Sequence, residues 1–182
     1  MQVLYVILGA LAILILGLFV FSLYLPSRLK IERSLLIEAR PEVVFREVNT
    51  LRNWERWSPW HQLDPAMKLV YGEKESATGA SYSWESKKRN VGRGSLSITE
   101  SRPYEYIAIN INFTGHGISK GHFRFEPVGE HTRVIWVMEM TVGQNPASKV
   151  IGLIMDKWVG RDFERGLQQL AVAASNWSSV NF

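Results

Sequence analysis

Hydrophobic and polar positions divide the 182 residues into one uninterrupted apolar segment and a long amphipathic remainder. The 23 residues from Val3 to Leu25 include no charged side chain. As a helix they would be about 34 Å long, enough to cross the ~30 Å hydrocarbon core of a bilayer. Tyr5 and Tyr24 lie near the two ends, where aromatic rings favour the headgroup region, and a proline then ends the helix. Residues 1–26 are therefore predicted to be a transmembrane anchor.

The alternative for this segment is a cleaved signal peptide, which has a basic start, a shorter apolar stretch and a small-x-small cleavage site. Only two residues precede the apolar run, and residues 24–28 offer no convincing cleavage site, so an anchor is the preferred interpretation. The positive-inside rule then predicts that the rest of the chain faces the cytoplasm. It rests on three basic residues that follow the segment, while none precedes it: Arg28, Lys30 and Arg33.

Residues 27–182 show the periodicities of one α+β domain. Leu29–Ala39 alternates as a strand, Pro41 opens a short helix, and a second helix over about residues 51–57 ends at a Ser-Pro pair. The chain closes with a long amphipathic helix from Pro146 to about Ala174. Between these helices lie six segments of strand character, separated by turn residues: 68–73, 80–87, 92–101, 104–113, 119–127 and 132–142.

A strongly twisted antiparallel sheet of seven strands curls around a helix laid across its concave face, and one helix about 10 Å wide leaves space there. Strand parity predicts that the inward side chains of the last three strands are apolar or aromatic, with no ionisable member. This pattern favours a cavity for a hydrophobic ligand; the alternative is that the same side chains fill a solid core. The predicted wall residues on strands and on the last helix are Tyr82, Trp84, Ile109, Ile111, Phe123, Phe125, Trp136, Met138, Met155 and Trp158.

Three tryptophans at intervals of three, Trp54, Trp57 and Trp60, directly precede His61 and Asp64. One interpretation is an aromatic lid over the cavity, with the histidine and the aspartate as a polar pair at its mouth. The other is that the tryptophans build the core while the polar pair caps a loop. We prefer the second for the polar pair and keep the tryptophans as wall residues.

Composition excludes several other classes. With 21 Lys and Arg against 17 Asp and Glu, the formal charge of +4 is too mild for nucleic-acid binding, although it would attract the domain weakly to anionic lipid. His116 and His122 have no third ligand at metal-binding spacing. No nucleophile elbow and no phosphate-binding loop occurs. We therefore predict no metal, no cofactor and no catalytic residue.

Several short motifs follow one another between residues 29 and 172. They are Ile31-Glu32-Arg33-Ser34, Ala39-Arg40-Pro41-Glu42-Val43-Val44-Phe45, Trp54-Glu55-Arg56-Trp57-Ser58-Pro59-Trp60, Gly92-x-Gly94, Gly121-x-Phe123-x-Phe125, Thr132-x-Val134-x-Trp136 and Phe163-Glu164-x-Gly166-Leu167-x-x-Leu170. Their order resembles the START-like (helix-grip) superfamily, also called SRPBCC. The likeness is greatest to the bacterial polyketide cyclase/dehydrase and lipid transport proteins, in a membrane-anchored variant.

This resemblance implies a helix-grip fold over residues 27–182, a hydrophobic pocket between the sheet and the C-terminal helix, and a bacterial inner membrane for the anchor. Members bind lipids, sterols, polyketides or quinones, and some are enzymes. Three functions stay open: membrane-tethered binding, transport or sensing of a lipid-like molecule; a cyclase-like enzyme; and an interaction protein with a filled core. The enzyme requires an ionisable group inside the cavity, which strand parity does not supply.

Overall fold

The computed structural model describes residues 2–24, 28–115, 117–141 and 146–178. Within these residues the helices are α1 (Gln2–Leu23), α2 (Pro41–Asn49), α3 (Trp54–Trp57), α4 (Pro59–Leu63) and α5 (Pro146–Ser178), with a 3-10 turn at Leu51–Asn53. The strands are β1 (Arg28–Ile37), β2 (Lys68–Tyr71), β3 (Ser81–Glu85), β4 (Arg93–Arg102), β5 (Tyr106–Phe113), β6 (Gly117–Val128) and β7 (His131–Thr141). The predicted α+β class, with seven strands and a long C-terminal helix, is confirmed.

The seven strands form one antiparallel sheet in the order β1-β7-β6-β5-β4-β3-β2. Arg28, the first residue of β1, pairs with Thr141, the last residue of β7. Phe113 of β5 pairs with both Gly94 of β4 and Gly117 of β6. These five residues therefore lie along one end of the sheet. We call it the anchor end, because the strand that follows α1 begins there.

Two prolines determine where the short helices begin. Pro41 stands in the first turn of α2 and Pro59 in that of α4, and the residues before them, Arg40 and Ser58, have extended backbone. A proline restricts its predecessor to this conformation and fits the first helical turn, where no N–H is needed. Pro59 therefore both ends α3 and begins α4. The single helix predicted over residues 51–57 is instead a 3-10 turn and one α-helical turn, followed by α4.

The buried face of α5 packs on the concave face of the sheet. Close packing requires a glycine, since a Cβ atom at Gly166 would lie 2.9 Å from the Trp136 ring and 3.0 Å from the Pro59 ring. A Cβ atom at Gly160 would overlap the guanidinium group of Arg33, which forms ion pairs with α5. The fully or nearly fully buried residues of α5 include Phe163, Leu167, Leu170, Ala173 and Ala174.

The N-terminal helix differs from every other element in its surroundings. Over Gln2–Phe21 it is long and apolar enough to cross a bilayer, and none of this stretch is buried against the domain. A signal sequence has the same length and composition. The structure thus identifies one helix among the described residues that is able to span a membrane.

Candidate functional site

Aromatic rings fill the centre of the space between the sheet and α5. Trp136 of β7 stacks on Phe163 of α5 with ring centroids 3.8 Å apart, and it lies 4.9 Å from Phe123 of β6. Trp57 meets Trp136 edge-on at 5.8 Å, and Trp54 lies 4.5 Å from Trp57. All five side chains are fully buried. Four of them are predicted wall residues, and the structure places these four in packed core, outside the two cavities that the described residues form between the sheet and the helices.

The hydrogen bonds of Trp54 and Trp57 explain their position. The indole N–H of Trp54 donates to the carbonyl of Val48 at 2.8 Å, and that of Trp57 donates to the carbonyl of Glu47 at 3.1 Å. The last carbonyls of a helix have no partner within the helix, and a buried indole needs an acceptor. Each indole therefore supplies the missing hydrogen-bond donor for a carbonyl in the last turn of α2. These two tryptophans are part of the structural framework.

A groove of about 660 Å³ opens at the anchor end, between the sheet and the N-terminal half of α5. This volume lies within the usual range for small-molecule sites. Its apolar wall consists of Trp60, Val91, Phe113, Ile118, Met138, Met140, Met155 and Val159. Polar side chains at its rim and wall include Arg89, Asn90, Arg93, Thr114, Ser119, Thr141, Ser148 and Asp162.

A much smaller inner pocket, of about 20 Å³, adjoins the groove. Trp60, Val91 and Phe113 line both spaces, so the pocket and the groove adjoin at these three side chains. The pocket is about the size of one water molecule. Its remaining walls are His61, Met67, Tyr82, Trp84, Leu96 and Ile111.

The predicted wall residues thus fall into four groups. Trp60, Met138 and Met155 line the groove, and Tyr82, Trp84 and Ile111 line the inner pocket. The solid core contains Trp54, Trp57, Ile109, Phe123 and Trp136. The remaining two, Phe125 and Trp158, are away from both spaces.

Helix geometry and strand length explain the two outliers. Trp158 is 63% exposed, because it lies about 100° around α5 from the groove residue Val159. Phe125 is buried near the opposite end of β6, where its ring packs edge-on against Phe45 at 5.5 Å. Spacings of three and four identify an apolar stripe on a helix, and they leave open which residue forms its margin.

Among the described residues, two ionisable side chains reach the cavities from helices. His61 of α4 lines the inner pocket, and Asp162 of α5 lines the groove. The inward faces of the last three strands carry no ionisable residue, as parity predicts. Strand parity says nothing about residues on the helices that close the sheet, so this signal was absent from the sequence pattern. The same holds for Arg89 and Val91, which reach the site from the β3–β4 loop.

His61 is buried, with 6% of its surface exposed, and neither ring nitrogen has a hydrogen-bond partner among the described residues. Burial lowers the pKa of this imidazole to about 4, against a small opposing effect of the Glu55 carboxylate. The nearest ring is that of Tyr82, whose centroid lies 5.8 Å away. At neutral pH the side chain is therefore an uncharged donor and acceptor in an apolar wall.

Asp64 does not pair with His61. Its carboxylate accepts hydrogen bonds from the Ser86 hydroxyl and from the backbone N–H of Ala66. Nearby, the ammonium group of Lys88 donates to the Leu63 carbonyl at 2.6 Å. These bonds attach the β3–β4 loop, which forms one side of the groove, to the end of α4. The loop-capping interpretation of Asp64 therefore agrees with its position.

Asp162 is half-buried, and its carboxylate accepts a hydrogen bond from the Arg165 guanidinium at 2.8 Å. Burial raises the pKa of this carboxyl, while the Arg165 charge opposes the rise. Among the described residues, no group of three or more His, Asp or Glu side chains could hold a metal ion. His116 lies outside the described residues, and the His122 ring lies tilted against the Tyr106 ring with centroids 5.5 Å apart. The site can thus enclose an apolar molecule and offer it a few polar contacts.

Comparison with solved structures shows the fold. A protein of unknown function from Staphylococcus aureus is 13% identical, with a TM-score of 0.67 over 84% of this chain and 96% of that one. A protein from Mesorhizobium loti is 12% identical, with a TM-score of 0.59 over 81% and 97% of the two chains. The protein Ara h 8.0201 is 14% identical, with a TM-score of 0.55 over 85% and 99%. These likenesses confirm the predicted helix-grip fold.

No curated protein matches the chain at a significant level. The sequence profile of the family described as polyketide cyclase / dehydrase and lipid transport matches residues 28–175. The match begins at the first residue of β1 and ends within α5, so it covers the whole sheet and the helix that packs on it. The chain belongs to the polyketide cyclase/dehydrase and lipid transport family.

Proposed function

We propose that this protein is a membrane-tethered binding protein that takes up a lipid-like or other hydrophobic small molecule from the bilayer into the groove beneath α5. One observation carries the proposal: the groove opens at the anchor end of the sheet, where the N-terminal helix leads into the domain. Binding in this sense covers storage, transport and sensing.

The chemistry of the groove supports an apolar ligand. Three methionines, Met138, Met140 and Met155, contribute to its wall. Methionine side chains adapt to irregular shapes and are frequent at surfaces that bind varied apolar partners. Trp60 and Phe113 lie where the groove adjoins the inner pocket, and an acyl or isoprenoid chain in the groove would be enclosed by side chains of the sheet and of the helices.

The connection between α1 and the sheet supports uptake from the membrane. Leu23 ends α1 and Arg28 begins β1, so five residue steps separate them, and an extended chain of this length spans at most about 18 Å. Thr141, the register partner of Arg28, lines the groove. If α1 crosses the bilayer, the mouth of the groove therefore lies close to the headgroups.

Charge and exposed apolar surface at the anchor end support the same orientation. Ile118, at the rim, is 63% exposed and would reach into the interfacial region. A basic residue near an anionic surface contributes about 1 kcal/mol of attraction. Exposed basic residues at this end include Arg28, Lys30, Arg89, Arg93 and Lys120, and exposed acidic residues there include Glu85 and Glu139. The basic residues after α1 also support a cytoplasmic domain on a bacterial inner membrane.

Uptake can be tested on the full chain, extracted in mild detergent and analysed by native mass spectrometry. We expect a stoichiometric apolar species in the wild type. Val159→Trp would fill the groove and lower its occupancy at least tenfold, whereas Val172→Trp, on the exposed side of the same helix, is the matched control. Equal occupancy in both variants would mean that the ligand binds elsewhere. A wild-type protein without a bound species or dye uptake would favour the filled-core interaction protein.

Orientation can be tested independently, because the chain contains no cysteine. Ile118→Cys and Val128→Cys place single labels near the two ends of β6, about 33 Å apart. Both positions are exposed. In vesicles of phosphatidylcholine and phosphatidylglycerol, lipid-borne quenchers should reach a fluorophore at position 118 and not one at position 128. Equal quenching, or the reverse order, would contradict a groove that faces the bilayer.

A further inference from the structure

Among the described residues, the buried polar side chains that lack a hydrogen-bond partner include His61, Ser58 and Trp136, and of these three only His61 lines the inner pocket or the groove. His61 is more than nine-tenths buried, and both of its ring nitrogens lack partners among the described residues. Buried polar groups are nearly always paired, so an unpaired imidazole calls for an explanation. Its sequence neighbour Asp64 is engaged with Ser86 and Ala66 and offers no partner.

The position of His61 points to a ligand. The ring forms part of the wall of the inner pocket, which shares Trp60, Val91 and Phe113 with the groove. The other walls of this pocket are apolar or aromatic side chains, of which Tyr82 also carries a hydroxyl, and the indole N–H of Trp84 already donates to the Val91 carbonyl at 3.2 Å. His61 is therefore a buried donor and acceptor with both ring nitrogens unpartnered that an apolar molecule would meet at the inner end of its path.

We infer that His61 anchors the polar end of the ligand, and that the ligand is a hydrophobic molecule ending in one small uncharged hydrogen-bonding group, a hydroxyl or a carbonyl, inserted with this end inward. The inference rests on the proposed function. It extends that function by naming the class of ligand and its direction in the groove.

Size and charge both select this class. The inner pocket, of about 20 Å³, has room for a group the size of one water molecule, and a phosphate or a sugar is larger. An ionised carboxylate would lose its hydration among apolar walls and would find no cation there, since the imidazole is neutral. A hydroxyl can accept from the imidazole N–H or donate to its other nitrogen, and a carbonyl can accept.

The test uses the full chain in detergent micelles with a fluorescent naphthylamine dye in the groove. Three competitors of equal chain length displace the dye: 1-dodecanol, dodecane and dodecanoate. For each competitor, the half-displacing concentration in His61→Phe is divided by that in the wild type, so that partitioning into micelles cancels. We expect this ratio to be at least fivefold for 1-dodecanol and below twofold for dodecane. Fivefold corresponds to about 1 kcal/mol, the usual net contribution of one hydrogen bond.

Two variants control for structural effects. His131→Phe changes an exposed histidine in the same way and should leave every ratio near one. His61→Gln retains a donor and an acceptor and should restore much of the affinity for 1-dodecanol. Circular dichroism and thermal unfolding verify that each variant is folded.

A second readout observes the imidazole directly. The chain has four histidines, so ¹⁵N-histidine labelling gives few ring signals, and the signals lost in His61→Phe identify His61. Addition of 1-dodecanol should shift these signals, and dodecane should not.

The outcomes separate this inference from the proposed function. Equal ratios for 1-dodecanol and dodecane, or unmoved ring signals, would show that His61 does not bind the polar end of the ligand. The proposed binding groove would be unaffected. Such a result would assign His61 to a structural water or to packing. A ratio larger for dodecanoate than for 1-dodecanol would overturn the uncharged head group. A wild-type protein that binds neither dye nor competitor would overturn the proposed function, and with it the role of His61 in ligand binding.

Discussion

The solid centre and the groove occupy the same layer of this protein, between the concave face of the sheet and α5, yet one is filled and the other is open. In the centre, Trp136 and Phe163 stack at 3.8 Å, and tryptophans from α3 complete the packing. At the anchor end, the corresponding positions of β7 and α5 carry Met138, Met140 and Val159, which line the groove together with Trp60 of α4.

The difference shows that a cavity forms in this fold where few elements place large side chains between the sheet and α5. Both regions are apolar, and both follow the alternation of β7. Trp136 is part of the filled centre because α3 and α5 supply further rings there, whereas Met138, two residues along the same face, lines the groove. Stability is therefore expected to depend mainly on the centre, and binding mainly on the anchor end.

The largest change in unfolding free energy expected from this contrast follows substitution of Trp136. Trp136→Ala removes a fully buried ring that contacts four aromatic neighbours, and such truncations cost about 3–5 kcal/mol of unfolding free energy. Urea unfolding of the full chain in detergent measures the loss. Trp158→Ala, at a 63% exposed position, should stay within about 0.5 kcal/mol of the wild type. Similar losses in both variants would show that the centre is not the stabilising region.

The next effect concerns pH and His61. Its pKa is about 4 in the folded protein and 6.5 in the unfolded chain, so the unfolded state binds more protons between these values. Stability from this group is therefore complete above about pH 6.5 and is lost as the pH falls to 4. The loss amounts to about 3 kcal/mol.

Comparison with His61→Phe isolates this contribution from those of the carboxylates. The wild type should lose stability relative to the variant as the pH falls from 7 to 4, as measured by urea unfolding at each pH. A constant difference across this range would mean that the histidine is solvated or paired.

The smallest effect on stability, with a clear effect on binding, is expected at the groove. Met155→Ala shortens a half-buried wall residue and should change the unfolding free energy by less than about 1 kcal/mol. Dye binding should weaken severalfold, because the ligand loses apolar contact. Val172→Ala, exposed on the same helix, should change neither quantity. A loss of stability without a loss of binding would reverse the roles of the two regions.

Much of the architecture was predictable because the signals are local. The apolar run before Pro26, the alternation of β5 to β7 and the long amphipathic pattern of α5 each reflect a periodicity within one segment. Alternation also predicted correctly that Trp136 and Met138 point inward. It could not predict that one is in packed core and the other at a groove, since parity gives the face of a strand and not the space above it.

The sequence by itself determined an anchor-like first helix, seven strands in order, and one apolar face for the sheet. The tertiary structure alone decided that the groove beneath α5 lies at the anchor end, and which polar groups reach it. His61 comes from a helix that Pro59 begins, Asp162 from the margin of α5, and Arg89 from a loop held by Asp64 and Ser86. The physical reason is that volume left between packed elements depends on the summed size of side chains from separate segments, which no periodicity within a single segment records.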